Sequence, residues 1–211
     1  IEIAVRNPNT PFTNVVSKNL DAGERWEIPM DLQGMIGTNT ATLELSRIPP
    51  IDFGKRLNYL IQYPHGCIEQ TTSAVFAQLL AGEVVELTNE QKKNISDHME
   101  EGIERIALFL TPTGGLAYWP GQEDAHSWGT SYAYHFLIEA QNRGYYVSSS
   151  LLNSINSYQE KLPLRWQLSE YRRADFTQAY LIYTLALAGN PELVLMNRFR
   201  EREKLSIQAR W

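Results

Sequence analysis

The sequence predicts a mainly α protein, a partial α/α toroid of helical hairpins preceded by a short β segment. Three observations carry this. Past residue 47 the apolar residues recur at helical spacing, as in Ile95, Met99, Ile103, Ile106 and Leu110. Three apolar, small-residue stretches look alike: residues 71–82, 129–137 and 176–186. A more polar helical stretch separates each from the next, the signature of stacked hairpins with an inner and an outer layer. If Thr72, Thr130 and Thr177 are equivalent, the steps are 58 and 47 residues. Three hairpins make only part of a ring.

Residues 1–47 read differently. Ile1–Val5 is short, apolar and β-prone, and residues 25–30 and 41–46 alternate with the period of half-buried strands. Asn7-Pro8-Asn9-Thr10-Pro11 and Asp21-Ala22-Gly23-Glu24 are turn material. The expectation is that 1–47 holds the C-terminal strands of an upstream β-sandwich domain. Ile48-Pro49-Pro50 marks the boundary, because two prolines stop a strand and cannot continue a helix. Residues 48–211 are then expected to be the N-terminal part of a truncated toroid domain. The chain opens at Ile1 inside a strand pattern and stops at Trp211 inside a helical one, as an excised piece would.

The helices follow in order. Phe53, Leu57, Leu60 and Ile61 trace one face of a helix that Pro64 ends. Next come Thr72–Leu80, Asn89–Leu110, Ser127–Ala140, Ser149–Tyr158, Asp175–Ala188 and Glu203–Trp211. Gly82, Gly144 and Gly189 sit where helix C-caps are expected. The mixed charges of 198–204 read as a solvated helix end or loop.

Composition narrows the function. Of 211 residues, 43% are hydrophobic and 20% charged, as in an ordinary soluble protein. The net charge of −5 provides no basic field to attract nucleic acid. No apolar run approaches the ~20 residues of a membrane-spanning helix. His98, His126 and His135 lack metal-ligand spacing, so neither metal nor cofactor is expected. Ser127 and Ser131 lack a nucleophile-elbow pattern.

The chemistry concentrates in YPHGCIEQTTS, residues 63–73, around the only cysteine. Many lone cysteines are small core fillers. Here Pro64 ends one helix, Gly66 permits a left-handed backbone, and Thr71-Thr72-Ser73 leads into the next helix. Cys67 thus sits near a helix N-terminus, where positive partial charge lowers a thiol pKa. Gln70 is three residues on, the same face of a helical turn. The Cys67 sulfur can reach the Gln70 side-chain carbonyl, and attack there with loss of ammonia would give an internal thioester.

Gly66-Cys67-Ile68-Glu69-Gln70 resembles the thioester motif of the α2-macroglobulin and complement family. Residues 63–73, together with Gly114-Gly115-Leu116-Ala117-Tyr118-Trp119-Pro120-Gly121, are most similar to its bacterial branch. Ile68 stands where many animal members have glycine. The resemblance covers most of 48–211. It implies an α/α-toroid thioester domain, an upstream β domain, and a Cys67–Gln70 cross-link. It also implies a function. A protease cuts a bait region elsewhere, the protein changes shape, and the exposed thioester acylates the protease. The partners it implies are trapped proteases and other domains of the same chain. The location it implies is the periplasm or cell envelope. The trap is consumed in use, so it is not an enzyme.

A thioester must be kept from water, and Tyr63 and Trp119 are candidate shields. Complement members that favour hydroxyl targets use a downstream histidine, and 162–174 contains none. Direct aminolysis by a lysine amine is therefore expected. His65 as a base competes with a plain loop histidine, and Glu69 as a base would need pairing beside an apolar shield.

Two other readings stand beside the trap. A carbohydrate-active toroid enzyme would use Trp119, Trp128 and Trp166 as sugar platforms and needs two opposed carboxylates. Glu123-Asp124 is the only nearby pair, and adjacent residues do not face each other across a substrate. A family member whose thioester never forms would act as a binding module.

Overall fold

The computed structural model describes residues 12–29, 37–43, 45, 59–162, 174–202 and 205–210. The chain divides into two units, Ile1–Pro49 and Pro50–Trp211. In the described part of the first unit there is no strand. Residues 25–29, 41–43 and 45 were expected to be strands. They form no ladder, and Ile28, Leu43 and Leu45 are exposed. Alternation marks a segment suited to a sheet, but a strand is stable only with partners beside it. A turn is present at 21–24, where Glu24 N–H donates to the Asp21 carbonyl at 3.0 Å and Glu24 pairs with Lys18. Ile1–Val5, Ile48-Pro49-Pro50, Phe53 and Leu57 lie outside the described residues, as do Trp166, Glu203 and Trp211.

The second unit is helical. Its described helices are α1 Ile68–Leu79, α2 Ala81–Val84, α3 Asn89–Ala107, α4 Ser127–Asn142, α5 Ser149–Lys161, α6 Ala174–Leu187, α7 Leu193–Arg200 and α8 Ile207–Arg210. Residues 59–60 are also helical, ahead of Pro64. The expected helices are present with shifted ends. α1 begins four residues early, because Cys67 rather than Thr71 is its N-cap. α3 stops at Ala107, three residues short of Leu110, which instead bridges to Leu116.

Gly144 and Gly189 follow α4 and α6 with φ of 91° and 85°, the left-handed geometry of a helix stop. Gly82 does not end a helix. It lies inside α2, and Leu80 caps α1. The short α2 and the eight-residue α7 were not anticipated. In α7 only Phe199 is fully buried, too little apolar periodicity to stand out against its charged neighbours.

The layering follows from side-chain size. α1 packs on α3 and α4, and α4 packs on α5 and α6. The small-residue helices α1, α4 and α6 therefore lie in sequence, with α3 and α5 flanking them. Gly102 of α3 lets α1 approach: a Cβ there would meet Val75 Cγ1 at 2.3 Å. Val75, Met99, Ile106, Phe109, Phe136, Leu137 and Ile155 fill the shared core and are fully buried.

Buried polar groups stitch the layers together. Gln159 of α5 donates to Ser131 Oγ of α4 (3.2 Å) and accepts from Thr184 Oγ1 of α6 (2.9 Å). A buried polar side chain is tolerated when its hydrogen bonds are made in this way. Between α3 and α4 the loop 108–126 is held by Ala117 N–H to the Phe109 carbonyl (2.8 Å) and by Leu116 N–H to Thr130 Oγ1 (2.9 Å). Its Gly114 has φ of 92°, and a Cβ there would lie 2.7 Å from the Ser154 carbonyl oxygen. This loop carries Tyr118 and Trp119 to the N-terminus of α1.

Candidate functional site

The site is the first turn of α1. Pro64 is buried and Gly66 turns the chain with φ of 91°, a conformation L side chains rarely adopt. A Cβ on Gly66 would lie 2.2 Å from Gln70 Oε1, so glycine makes the turn and also clears the space Gln70 occupies. Cys67 follows in an extended conformation (φ −73°, ψ 173°) as the N-cap, 3% exposed.

Cys67 and Gln70 form a reciprocal pair. The Cys67 side chain faces the Gln70 backbone N–H, and Gln70 Oε1 accepts from the Cys67 backbone N–H at 3.1 Å. This is the geometry of a capping box, with a thiol in place of the usual hydroxyl. It folds the Gln70 carboxamide back onto the Cys67 backbone N–H. Cys67 is buried while Gln70 is exposed.

Arg105 of α3 clamps the turn from the other side. Its Nη2 donates to the Gly66 carbonyl (3.1 Å), its Nε donates to Thr71 Oγ1 (3.3 Å), and its guanidinium stacks over Phe109. The loop 108–126 closes the opposite flank. Ile68 N–H donates to the Tyr118 carbonyl at 3.1 Å, satisfying one of the free N–H groups of the first turn. Ile68 itself is fully buried, and a Cβ on Gly129 of α4 would lie 2.6 Å from Ile68 Cγ2. The large residue at 68 is accommodated by the missing side chain at 129.

Tyr118 completes the site. Its ring lies edge-on to Trp119 (6.0 Å) and His126 (5.1 Å). Its phenol is pushed up to about 12, first by the Cys67 side chain it interacts with and then by the Glu69 carboxylate. Beside a thiolate or a carboxylate, a phenol is the partner that keeps its proton.

The other singled-out residues are placed as follows. Trp119 is adjacent to Tyr118 and 46% exposed. Tyr63 is 55% exposed and meets His98 edge-on at 6.2 Å. His65 Nδ1 pairs with the Tyr63 carbonyl (2.9 Å). His98 Nδ1 is 2.8 Å from Gln78 Oε1, His126 caps α4 by accepting from Gly129 N–H (3.1 Å), and His135 Nδ1 meets the Tyr180 hydroxyl (2.7 Å). No group of three metal-ligating side chains occurs among the described residues. Trp128 packs among protein rings, with Tyr132 at 6.0 Å and Tyr180 at 4.9 Å, and is partly buried. Arg105 and Tyr118 were not singled out from sequence. Each reaches the site from a distant position, and only the fold brings it there.

Comparison with known proteins settles the family. Residues 40–161 match the family described as the A-macroglobulin TED domain. The chain belongs to that family. The alpha-2-macroglobulin of Escherichia coli (strain K12) is 32% identical over 147 residues, 65% of this chain and 9% of the relative. A crystal structure of Salmonella alpha-2-macroglobulin reacted with methylamine superposes with a TM-score of 0.61 at 30% identity, covering 74% of this chain and 11% of that one. Escherichia coli alpha-2-macroglobulin activated by porcine elastase superposes with a TM-score of 0.54 at 25% identity, covering 66% of this chain and 13% of that one. The TED-domain chain thus spans about a tenth of the length of these bacterial alpha-2-macroglobulins. Over the matched stretch it shares their mainly helical fold.

Proposed function

We propose that this TED domain is the acylating unit of a protease-trapping inhibitor, with Cys67 and Gln70 joined as an internal thioester. The carrying observation is the reciprocal Cys67–Gln70 pair on a glycine turn that admits no side chain. The family membership and the elastase-activated and methylamine-reacted relatives support the same reading.

Formation and use of the bond run through the same atoms. The Cys67 thiol gives up its proton and its sulfur attacks Gln70 Cδ, the carbonyl oxygen takes up negative charge beside the Cys67 N–H, and the amide nitrogen takes up that proton and leaves as ammonia when the C–N bond breaks. A backbone N–H aimed at a developing oxyanion lowers such a barrier. In the reverse sense, a lysine amine attacks Gln70 Cδ, the C–S bond breaks, and the sulfur departs with the electron pair. The product is an isopeptide link to the attacker, with no turnover. Tyr63 and Trp119 are the proposed shields, each offering a half-exposed aromatic face near the loop. We further propose that residues 1–47 belong to a preceding β domain and that 48–211 begin a ring of helical hairpins. Trapped proteases are the proposed partners, at the periplasm or cell envelope.

The test is a challenge of the intact protein with trypsin or elastase, followed by denaturing, reducing electrophoresis and peptide mapping. The expected result is a covalent adduct joined through Gln70 to a protease lysine, absent in Cys67→Ala. Wild-type protein that is cleaved without forming an adduct would overturn the proposal.

A further inference from the structure

Residues 62–66 lead into the cysteine, and side chains of α1 and α3 set their course. On α3, His98, Gly102 and Arg105 are four and three residues apart and share one face. The incoming chain follows that face. The Tyr63 ring meets His98, a Cβ on Gly102 would lie 3.6 Å from Pro64 Cγ, and Arg105 Nη2 donates to the Gly66 carbonyl at 3.1 Å. Arg105 holds the turn and Gly102 admits α1. His98 is left, and its bonding is fully determined.

Gln78 of α1 is 1% exposed, and its side-chain nitrogen has two acceptors. Nε2 donates to the Gln62 carbonyl (2.8 Å) and to the Ala74 carbonyl (3.0 Å). Carbonyl oxygens only accept, so this end of the amide is the nitrogen and the other is the oxygen. Gln78 Oε1 lies 2.8 Å from His98 Nδ1, so the imidazole carries a proton on Nδ1 and donates it to that bond. One buried amide thus holds the Gln62 backbone and the His98 ring together. Tyr63 follows Gln62 directly. Its ring stands edge-on to His98, with centroids 6.2 Å apart and planes at 88°. An edge-to-face pair at that separation is attractive.

We infer that His98, anchored by Gln78, is a positioning residue: it sets where the Tyr63 ring stands ahead of the cysteine, and so governs how fast water and amines reach the thioester. The inference rests on the thioester reading above, with Tyr63 as a shield. Tyr63 is 55% exposed, and a half-exposed ring tethered only through its backbone samples several rotamers. A ring held from one side by a fixed neighbour spends more of its time in one of them. His98 acts through Tyr63, so its removal changes nothing once Tyr63 is gone.

The experiment is a double-mutant cycle on the intact protein. His98→Asn keeps a side-chain N–H to offer Gln78 and removes the ring, while Tyr63→Ala removes the shield. Hydrolysis of the thioester in buffer and methylamine incorporation at Gln70 are both followed by mass. Loss of one aromatic pair predicts both rates roughly threefold to tenfold faster in His98→Asn. In the Tyr63→Ala background, itself faster than wild type, His98→Asn is expected to add nothing. A substitution that merely loosened the fold would accelerate both backgrounds alike. Acceleration that persists without Tyr63 therefore overturns the inference while the thioester stands. So do rates in His98→Asn or Tyr63→Ala equal to wild type. If wild type carries no thioester, the thioester reading fails and the inference with it. Should His98→Asn not fold, His98→Phe, which keeps a ring and loses the anchoring bond, goes through the same cycle under the same criteria.

Discussion

At the scale of single residues, Gly66 carries the most constraint. Any side chain there meets Gln70 Oε1 at 2.2 Å on a backbone with φ of 91°. Gly66→Ala is expected to cost about 1–3 kcal/mol in strain. It should also push the Gln70 carboxamide off the Cys67 N–H, so that the variant folds but carries less than a tenth as much of the proposed thioester by mass spectrometry. An undiminished thioester would show that the turn has other ways to close. The pairing of Cys67 with Gln70 at a helix start was legible from the sequence because it is local, within one helical turn. Arg105 was not, since its contact with Gly66 spans 39 residues and an arginine on a long amphipathic helix reads as a solvated charge. Arg105→Met keeps an unbranched apolar side chain but removes both hydrogen bonds and the guanidinium over Phe109. Spontaneous loss of the thioester in buffer should accelerate several-fold, with little change in melting.

At the scale of elements, the contact of α1 with α3 depends on Gly102. A Cβ would meet Val75 Cγ1 at 2.3 Å, with the end of a stiff, branched side chain as the obstacle. Gly102→Ala is expected to lower stability by about 1–3 kcal/mol through overpacking. Val75→Ala in the same chain should recover part of that loss, read by denaturant unfolding. The helical faces were legible because Ile95, Met99, Ile103 and Ile106 point to one side and are buried there. Helix ends were less legible. Gly82 resembles a stop in sequence, yet α2 continues through it, because the choice between stopping and turning is made by what packs beside the glycine. The described residues of the strands expected at 25–30 and 41–46, namely 25–29, 41–43 and 45, show the same limit: alternation specifies a face but cannot provide the neighbouring strand.

At the scale of the whole helical unit, α4, α5 and α6 meet at Gln159, which is fully buried. Gln159→Leu leaves the Thr184 hydroxyl with only its bond to the Leu181 carbonyl and removes the donor to Ser131. A loss of about 1–3 kcal/mol is expected, measured by thermal unfolding. Asp175 ties the start of α6 to the segment before α8, accepting from Ser206 N–H at 2.6 Å and Phe176 N–H at 2.8 Å. The Ser206 bond is the largest reason its carboxyl is held below the usual range. A depressed folded pKa gives stability that is present above the ordinary value of about 3.9 and is lost as pH falls through the folded value. Asp175→Asn should flatten that acid-side slope and leave neutral-pH melting lowered. The stacking of α1, α4 and α6 was legible in their shared small-residue pattern, whereas Tyr118 reached the site only through a loop whose path the pattern does not describe.

The most direct measurement is the mass of the freshly purified intact protein, with and without methylamine, beside Cys67→Ala. The account predicts a deficit of one ammonia in wild type, replaced by one methylamine on Gln70 and absent in the variant. Full mass with a titratable Cys67 in the fresh intact protein would contradict it.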